Sequence, residues 1–271
     1  LSVVLGGCSI YRSYKRPDVA VVDSLYRRQI SPADSAASIA DLSWKELFTD
    51  PQLQKLIERG LRNNSDLGIA RLRVKEAEAL LKSARLSYLP SINLSPQGTI
   101  SKAEYGKTTK TYDLAASASW EIDIFGKLTN AKREARAVLE QSEAYRQAVQ
   151  TQLIATIANN YYTLLMLDEQ LNISRRTAEN WNENLRVMKA LKRAGQATDM
   201  AVAQTEAGKL SVDASLLSLE RQITELENTL SSLLGSVPGD ITRSTLSGQS
   251  FSDTLLVGIP LQLLQRRPDV R

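Results

Sequence analysis

The clearest pattern in the sequence is an alternation of apolar and polar positions from Thr111 to Phe125. The apolar face would carry Tyr112, Leu114, Ala116, Ala118, Trp120, Ile122 and Ile124. This period of two predicts a β-strand with one face in lipid and the other in water. Ile92, Leu94 and Ile100 indicate a weaker first strand, and the polar residues 102–110 indicate a loop. Residues 91–125 are therefore predicted to form a transmembrane β-hairpin.

A run of 68 residues without Gly or Pro follows, from Lys127 to Ala194. Its apolar residues recur at steps of three and four, with consecutive steps of four around Leu153 that predict a change of packing near the midpoint. At ~1.5 Å per residue, a helix of this length would be roughly 100 Å long. Gly195 should end it, and a returning helix should run to Gly235. Residues 126–235 are thus predicted to form a long antiparallel helical hairpin.

Shorter helices are predicted in residues 44–90. Asp50 followed by Pro51 is typical of an N-cap and the first helical position, and Asp66 offers a second N-cap. Pro90 should end the second helix. Residues 9–43 show weak periodicity and are interpreted as an extended tether.

Composition and charge narrow the function classes. The chain has 34 Lys and Arg against 30 Asp and Glu, and these charges alternate in sign along the helical segments. That pattern is typical of solvated helix faces and not of a nucleic-acid surface, so no nucleic-acid partner is expected. The chain contains no histidine, and no convergent polar group suggests an active site or a metal centre. We therefore predict a protein that is not an enzyme.

The N-terminus contains the only cysteine, Cys8. Residues 1–8 are interpreted as the remnant of a signal peptide that ends in Leu5-Gly6-Gly7-Cys8, which resembles the bacterial lipobox. Cys8 is therefore the predicted lipidation site, and this covalent lipid is the only attached group expected. Ser9, in place of an Asp, favours the outer membrane. No stretch is long and apolar enough for a transmembrane helix.

The C-terminal residues 236–271 are predicted to contain a linker and the start of a second repeat. The apolar spacing of residues 53–67 returns near residues 256–270, about 200 residues later. We therefore expect the chain to represent roughly the N-terminal half of a duplicated protein.

Several motifs together resemble one known family, the TolC-like outer-membrane efflux factors, in particular the lipoprotein branch that serves resistance-nodulation-division (RND) pumps. The two most specific are Trp120 to Lys127 (WEIDIFGK) and Arg266 to Arg271 (RRPDVR). The lipobox, residues 44–51 and residues 64–67 add to the likeness, which covers essentially the whole chain.

The resemblance implies a mainly α-helical fold with a small β component. A long antiparallel helical hairpin would form part of a periplasmic tunnel, and the β-hairpin would contribute to a trimeric twelve-stranded transmembrane β-barrel. It also implies a homotrimer that conducts substrates passively across the outer membrane. The implied partners are a periplasmic adaptor, an inner-membrane RND transporter and outer-membrane lipid.

The implied sites lie at the two ends of the molecule. Tyr112 and Trp120 would belong to the aromatic girdles of the membrane segment. The turn between the long helices would be the periplasmic tip that docks on the adaptor, with the residues Arg193, Gly195, Thr198 and Asp199.

Three alternatives remain from the sequence. A TolC-like exit duct for type I secretion would share the whole architecture. A periplasmic adaptor would flank its helical hairpin with Gly-rich lipoyl-like strands, and a coiled-coil lipoprotein would lack the β-hairpin of residues 91–125. The sequence does not name the cargo, since drugs, metals and polypeptides all fit a mixed polar channel.

Overall fold

The structure is a computed structural model that describes residues 43–102, 104–250 and 267–268. Its elements are helices α1 (Trp44–Leu47), α2 (Pro51–Asn63) and α3 (Ser65–Leu86), strands β1 (Ser91–Ser101) and β2 (Thr109–Ser119), helices α4 (Lys127–Arg193) and α5 (Asp199–Leu233), and a short 3-10 helix (Leu246–Gly248). The predicted mainly helical fold with one antiparallel β-hairpin is confirmed. Cys8, nearly all of the predicted tether and most of the predicted second repeat lie outside the described residues.

The N-termini of α2 and α3 depend on two side-chain caps. Asp50 Oδ1 accepts a hydrogen bond from the Gln52 amide at 2.8 Å, and Pro51 opens α2 as predicted. The cap of α3 is Asn64, whose Oδ1 accepts from the Leu67 amide at 3.0 Å. The prediction of Asp66 as the cap is therefore wrong. Asn64 has the extended backbone that an N-cap requires, whereas Asp66 already lies in the first turn, where its charge favours the helix dipole.

The long helical hairpin is confirmed almost to the residue. Helix α4 has 67 residues and ends at Arg193, one residue before the predicted end. Helix α5 runs back along α4 for 35 residues. The two helices approach closely at Gly208, where an added Cβ would lie 2.5 Å from the Trp181 ring.

The hydrophobic core lies beside the middle of α4. The largest fully buried side chains are Tyr161, Leu53, Ile57, Leu67, Ile157, Leu164, Leu165, Leu230 and Leu234. They join α2, the start of α3, α4 and the end of α5. Residues 129–152 of α4, in contrast, include no buried side chain. The predicted change of packing near Leu153 is therefore seen as the boundary of the core.

The strand β2 ends earlier than the alternation predicts. Its last pair is Ser91↔Ser119, so Trp120 to Phe125 are not part of the strand. The reason is the partner strand, because β1 begins at Ser91, directly after Pro90, which has no amide hydrogen to donate. The residues before Pro90 form the turn after α3 and provide no strand opposite Trp120. Among the described residues, no helix is both long and apolar enough to cross a membrane.

Candidate functional sites at the two ends of the molecule

The β-hairpin places most of its apolar side chains on one face and most of its polar side chains on the other. Directly paired residues share a face, and the register places apolar positions opposite one another: Ile92↔Ala118, Leu94↔Ala116 and Pro96↔Leu114. The intervening pairs are nearly all polar: Ser91↔Ser119, Asn93↔Ser117, Ser95↔Ala115, Gln97↔Asp113, Thr99↔Thr111 and Ser101↔Thr109. The sheet therefore has one face suited to hydrocarbon and one suited to water.

The apolar face is uncovered in this chain. Leu94 is 61% exposed and Ile92 is 81% exposed. Eight residues separate Ile92 from Ile100, which at ~3.3 Å per residue gives about 26 Å. At the 35–45° tilt of barrel strands, that length spans about 20 Å of the ~25 Å apolar band of outer-membrane proteins.

Tyr112 lies on this apolar face near the loop end of the hairpin. Its ring covers Gly98 on the paired strand, since a Cβ on Gly98 would lie 3.5 Å from Tyr112 Cδ1. The side chain is 76% exposed. This position fits the predicted membrane girdle, which stays a prediction.

Trp120 lies just beyond the opposite end of the hairpin. Its indole Nε1 donates to the Tyr88 carbonyl at 3.0 Å, and the Tyr88 hydroxyl donates to Thr129 Oγ1 at 3.1 Å. Trp120 thus ties the exit of β2 to the end of α3 and the start of α4. Its role as a girdle residue remains a prediction, with the correction that it is not a strand residue.

The rest of the Trp120 to Lys127 motif shapes the turn from sheet to helix. The Asp123 carboxylate accepts from the amides of Leu128 and Thr129, both at 2.9 Å, and from Thr129 Oγ1 at 2.6 Å. The Thr129 hydroxyl is the main reason that the pKa of Asp123 lies below its usual range. Gly126 supplies the left-handed backbone of the turn, with φ +74°. The sequence revealed the motif but not this capping role.

The tip of the helical hairpin is a turn closed by glycine. Gly195 has φ +74°, and the Gln196 amide donates back to the Leu191 carbonyl at 2.9 Å. This six-to-one bond is typical of a helix end with glycine in the left-handed region. Thr198 caps α5, because its Oγ1 accepts from the Ala201 amide at 3.2 Å. An added Cβ on Gly195 would have no neighbour within 4 Å.

The predicted docking residues are together at this tip, and all of them are exposed. Arg193, Gly195, Thr198 and Asp199 lie on one short turn. Asp199 forms an ion pair with Lys192, which joins the ends of the two helices. Lys192 was not among the predicted docking residues, although it lies seven positions before Asp199 across the glycine turn.

A buried polar cluster near the core was also missed. Asp50 Oδ2 accepts from the Tyr161 hydroxyl at 2.5 Å and from Gln249 Nε2 at 2.8 Å, and Asp50 Oδ1 accepts from Ser244 Oγ at 3.0 Å. Burial disfavours the charged carboxylate, but these donors and the Gln52 amide outweigh it, so the pKa of Asp50 is lowered. Burial and the nearby Asp50 carboxylate raise the pKa of Tyr161. The cluster ties the segment after α5 to the start of α2.

Arg243 fixes the same segment to both long helices. Its guanidinium bonds both carboxylate oxygens of Asp168 on α4, at 2.5 and 2.9 Å, and also Glu227 on α5. The two carboxylates, with Asp168 the larger contributor, raise the pKa of Arg243. These residues are 75 and 16 positions apart in the sequence, so no local pattern marks them as a group.

Nothing in the described part of the chain suggests a metal centre, since no three His, Cys, Asp or Glu residues there are placed to hold an ion. The geometry instead consists of an amphipathic β-hairpin, an exposed helical tip and a packed region between them.

Comparison with known proteins places this architecture in a family. The profile of the family described as outer membrane efflux protein matches residues 56–236. The chain is 30% identical over 273 residues to the probable outer membrane lipoprotein SilC of Salmonella typhimurium, with 98% of this chain and 59% of that protein covered. It is 26% identical to the cation efflux system protein CusC of Escherichia coli K12, of which it covers 60%.

Solved structures agree with these matches. The chain superimposes on a crystal structure of CusC with a TM-score of 0.75 at 26% identity, covering 96% of this chain and 59% of that one. The outer-membrane channel OprN gives a TM-score of 0.77, also at 26% identity, with 97% and 60% covered. The chain thus spans about three fifths of the length of the relatives it matches. The family resemblance, the fold class and the outer-membrane location predicted from the sequence are confirmed. The chain belongs to the outer membrane efflux protein family.

Proposed function

We propose that this chain supplies the first half of an outer-membrane channel in a tripartite efflux system. The channel conducts substrates passively from the periplasmic side to the exterior. The observation that carries the proposal is the direct connection between a two-faced β-hairpin with an apolar length of about 26 Å and a 67-residue helix. The first element fits a membrane and the second is long enough to extend roughly 100 Å from it.

The hairpin requires further strands. Two strands leave open edges, and unpaired backbone groups are not tolerated in hydrocarbon. The partners are strands from the rest of the full-length protein and from two other copies, which together close a barrel in a homotrimer. The absence of buried side chains in residues 129–152 supports the same conclusion, because this part of α4 has room for neighbouring helices.

The partners at the periplasmic end are an adaptor and, through it, an inner-membrane RND transporter. The exposed tip around Gly195 is the adaptor-docking surface, where small residues allow close approach of another helical hairpin. Cys8 carries a lipid that anchors the N-terminus in the outer membrane. Relatives named for cation and toluene efflux support an export role, but they leave the cargo open.

The tip offers a direct test, because assembly and docking can be separated there. Gly195→Trp places an indole in open space, at a strain cost of about 1–3 kcal/mol for a side chain in the left-handed region. The trimer should still form, but adaptor crosslinking and drug or metal tolerance of a deletion strain should be lost. Gly239→Trp is the matched control, since Gly239 also has no neighbour within 4 Å of an added Cβ but lies far from the tip in sequence.

Two outcomes would change the proposal. Wild-type tolerance and crosslinking in Gly195→Trp would place the docking site elsewhere. The other outcome comes from expressing the gene in a deletion strain. If it restores polypeptide secretion but does not change drug or metal tolerance, the protein is a secretion duct and not an efflux channel.

A further inference from the structure

The lipid-facing side of the β-hairpin ends in lysines at its loop end. Lys110 is paired with Ile100 on the apolar face, one position beyond Tyr112 on that face. Lys102 follows β1 with the same parity as Ile100, so the period of two places it on the same face. Both side chains are exposed.

The spacing puts these ammonium groups at the level of lipid headgroups. The apolar face from Ile92 to Ile100 is about 26 Å long, and at the 35–45° tilt of barrel strands it spans about 20 Å of the ~25 Å hydrocarbon band of an outer membrane. Lys110 is opposite the last apolar residue of that band. A lysine at this depth extends its aliphatic stem along the acyl chains and its charge toward the interface.

The loop adds a third cation and an aromatic side chain. Lys107 is exposed and Tyr105 is completely exposed. Within the described part of the chain, none of Lys102, Lys107 and Lys110 forms an ion pair, and the loop's one acidic residue is Glu104. At the other end of the sheet, residues 120–127 carry two carboxylates and one lysine that is already paired with Glu121. Within residues 91–127, the lysines without an ion pair therefore lie at the loop end.

We propose that Lys102, Lys107 and Lys110, the lysine rim, bind phosphate groups of membrane lipid in the outer leaflet. Anionic lipid fits because the rim is contiguous with an apolar surface that only acyl chains or neighbouring strands would cover. The ammonium groups then face phosphates held at one depth, which fixes the height of the channel in the membrane. This inference rests on the proposed function, since it requires the hairpin to be inserted with its loop outward.

The test uses the full-length trimer and vesicles of defined composition. Vesicles of phosphatidylcholine alone are compared with vesicles that also contain lipid A, whose disaccharide carries phosphates, and bound lipid is counted by native mass spectrometry after extraction. Each lysine near an anionic surface strengthens association about fivefold. The variant Lys102→Gln, Lys107→Gln, Lys110→Gln should therefore hold lipid A about a hundredfold more weakly at low salt. The matched control is Lys55→Gln, Lys75→Gln, Lys82→Gln, which removes three exposed lysines of α2 and α3.

Several results would overturn the lysine rim. One is equal retention of lipid A and phosphatidylcholine by the inserted wild-type trimer. Another is a loss of lipid A binding in the control variant as large as that in the lysine-rim variant. Displacement of lipid A by inorganic phosphate at millimolar concentration would show a general anion site in place of a lipid site. A wild-type trimer that fails to insert into either vesicle would instead refute the membrane role of the hairpin, and the proposed function with it.

Discussion

The β-hairpin and the equatorial core, defined as the buried residues around Tyr161, contrast in how they are stabilised. Every residue of the two strands except Ser95 is exposed in this chain, and the sheet's apolar side chains contact no core. Tyr161, Leu164 and their neighbours are instead completely buried. The two regions have similar apolar side chains, but those of the core are covered by the rest of this chain and those of the hairpin are not.

The difference shows where the chain depends on its surroundings. Burial of a Leu stabilises the equatorial core by ~1.5–3 kcal/mol without any other molecule. In the proposed channel, the hairpin gains the equivalent energy only when lipid and neighbouring strands cover it. A substitution in the equatorial core should therefore reduce the stability of the folded chain, and the same substitution in the hairpin should reduce assembly in the membrane.

The largest effect is expected from a charge on the lipid face of the hairpin. Ala116 is paired with Leu94, one apolar pair away from the middle of the band, and an arginine costs up to ~2–4 kcal/mol at the membrane midplane of an outer-membrane barrel. The proposed trimer multiplies this cost by three, so Ala116→Arg should abolish trimer insertion. The measurement is the yield of heat-resistant trimer in the outer-membrane fraction.

Ala115→Arg provides a control with the same change at the next residue. Ala115 is paired with Ser95 on the polar face, where the guanidinium would remain hydrated, so trimer yield should be close to wild type. Similar yields for the two arginine variants would contradict the assignment of the faces.

The second effect moves the comparison to the core. Leu164 is fully buried and Leu114 is 72% exposed. Leu164→Ala should lower the free energy of unfolding by ~2–5 kcal/mol, because it loses the transfer energy and leaves a cavity. Leu114→Ala should change it by less than about 0.5 kcal/mol. Guanidinium denaturation of the two detergent-solubilised variants, followed by circular dichroism at the helical band, measures both unfolding midpoints. Equal midpoints would mean that the helices do not depend on this core.

The same contrast explains which features could be predicted from the sequence. Helix α4 was predicted to within one residue, because Gly, Pro and capping residues next to a helix end mark that end in the sequence. The end of β2 was predicted six residues too far. The alternation of apolar and polar residues indicates which face is in contact with water, but it does not indicate where the partner strand begins. The Arg243 contacts to Asp168 and Glu227 could not be predicted, since they bring together two helices and the irregular segment that follows α5. Contacts of that kind have no local signal.

A third, smaller effect concerns the buried hydroxyl of Tyr161. Tyr161→Phe removes the donor that bonds Asp50 at 2.5 Å and the acceptor for the Ser244 amide at 3.0 Å. Asp50 keeps its bonds to Gln52, Ser244 and Gln249, so the expected loss is about 1–2 kcal/mol of unfolding free energy. Tyr112→Phe removes the same oxygen from the exposed hairpin and should leave the unfolding midpoint unchanged. A larger loss in Tyr112→Phe than in Tyr161→Phe would reverse the contrast between the two regions.

The smallest effect is a change in acid stability that comes from Asp50. Its pKa is lowered in the folded protein, because the hydrogen bonds to Tyr161, Gln249, Gln52 and Ser244 outweigh the burial that would raise it. The folded state therefore binds fewer protons at this site than the unfolded state, and stability rises with pH. The contribution is complete above the unfolded pKa of about 3.9 and is lost as the pH falls through the lower folded value. Asp50→Asn keeps a capping side chain but has no proton to bind, so its unfolding midpoint should decrease less than that of wild type when the pH is lowered from about 5 to about 3. Denaturation at a series of pH values measures the difference, and parallel curves for the two proteins would show that the polar cluster around Tyr161 does not hold Asp50 in its charged form.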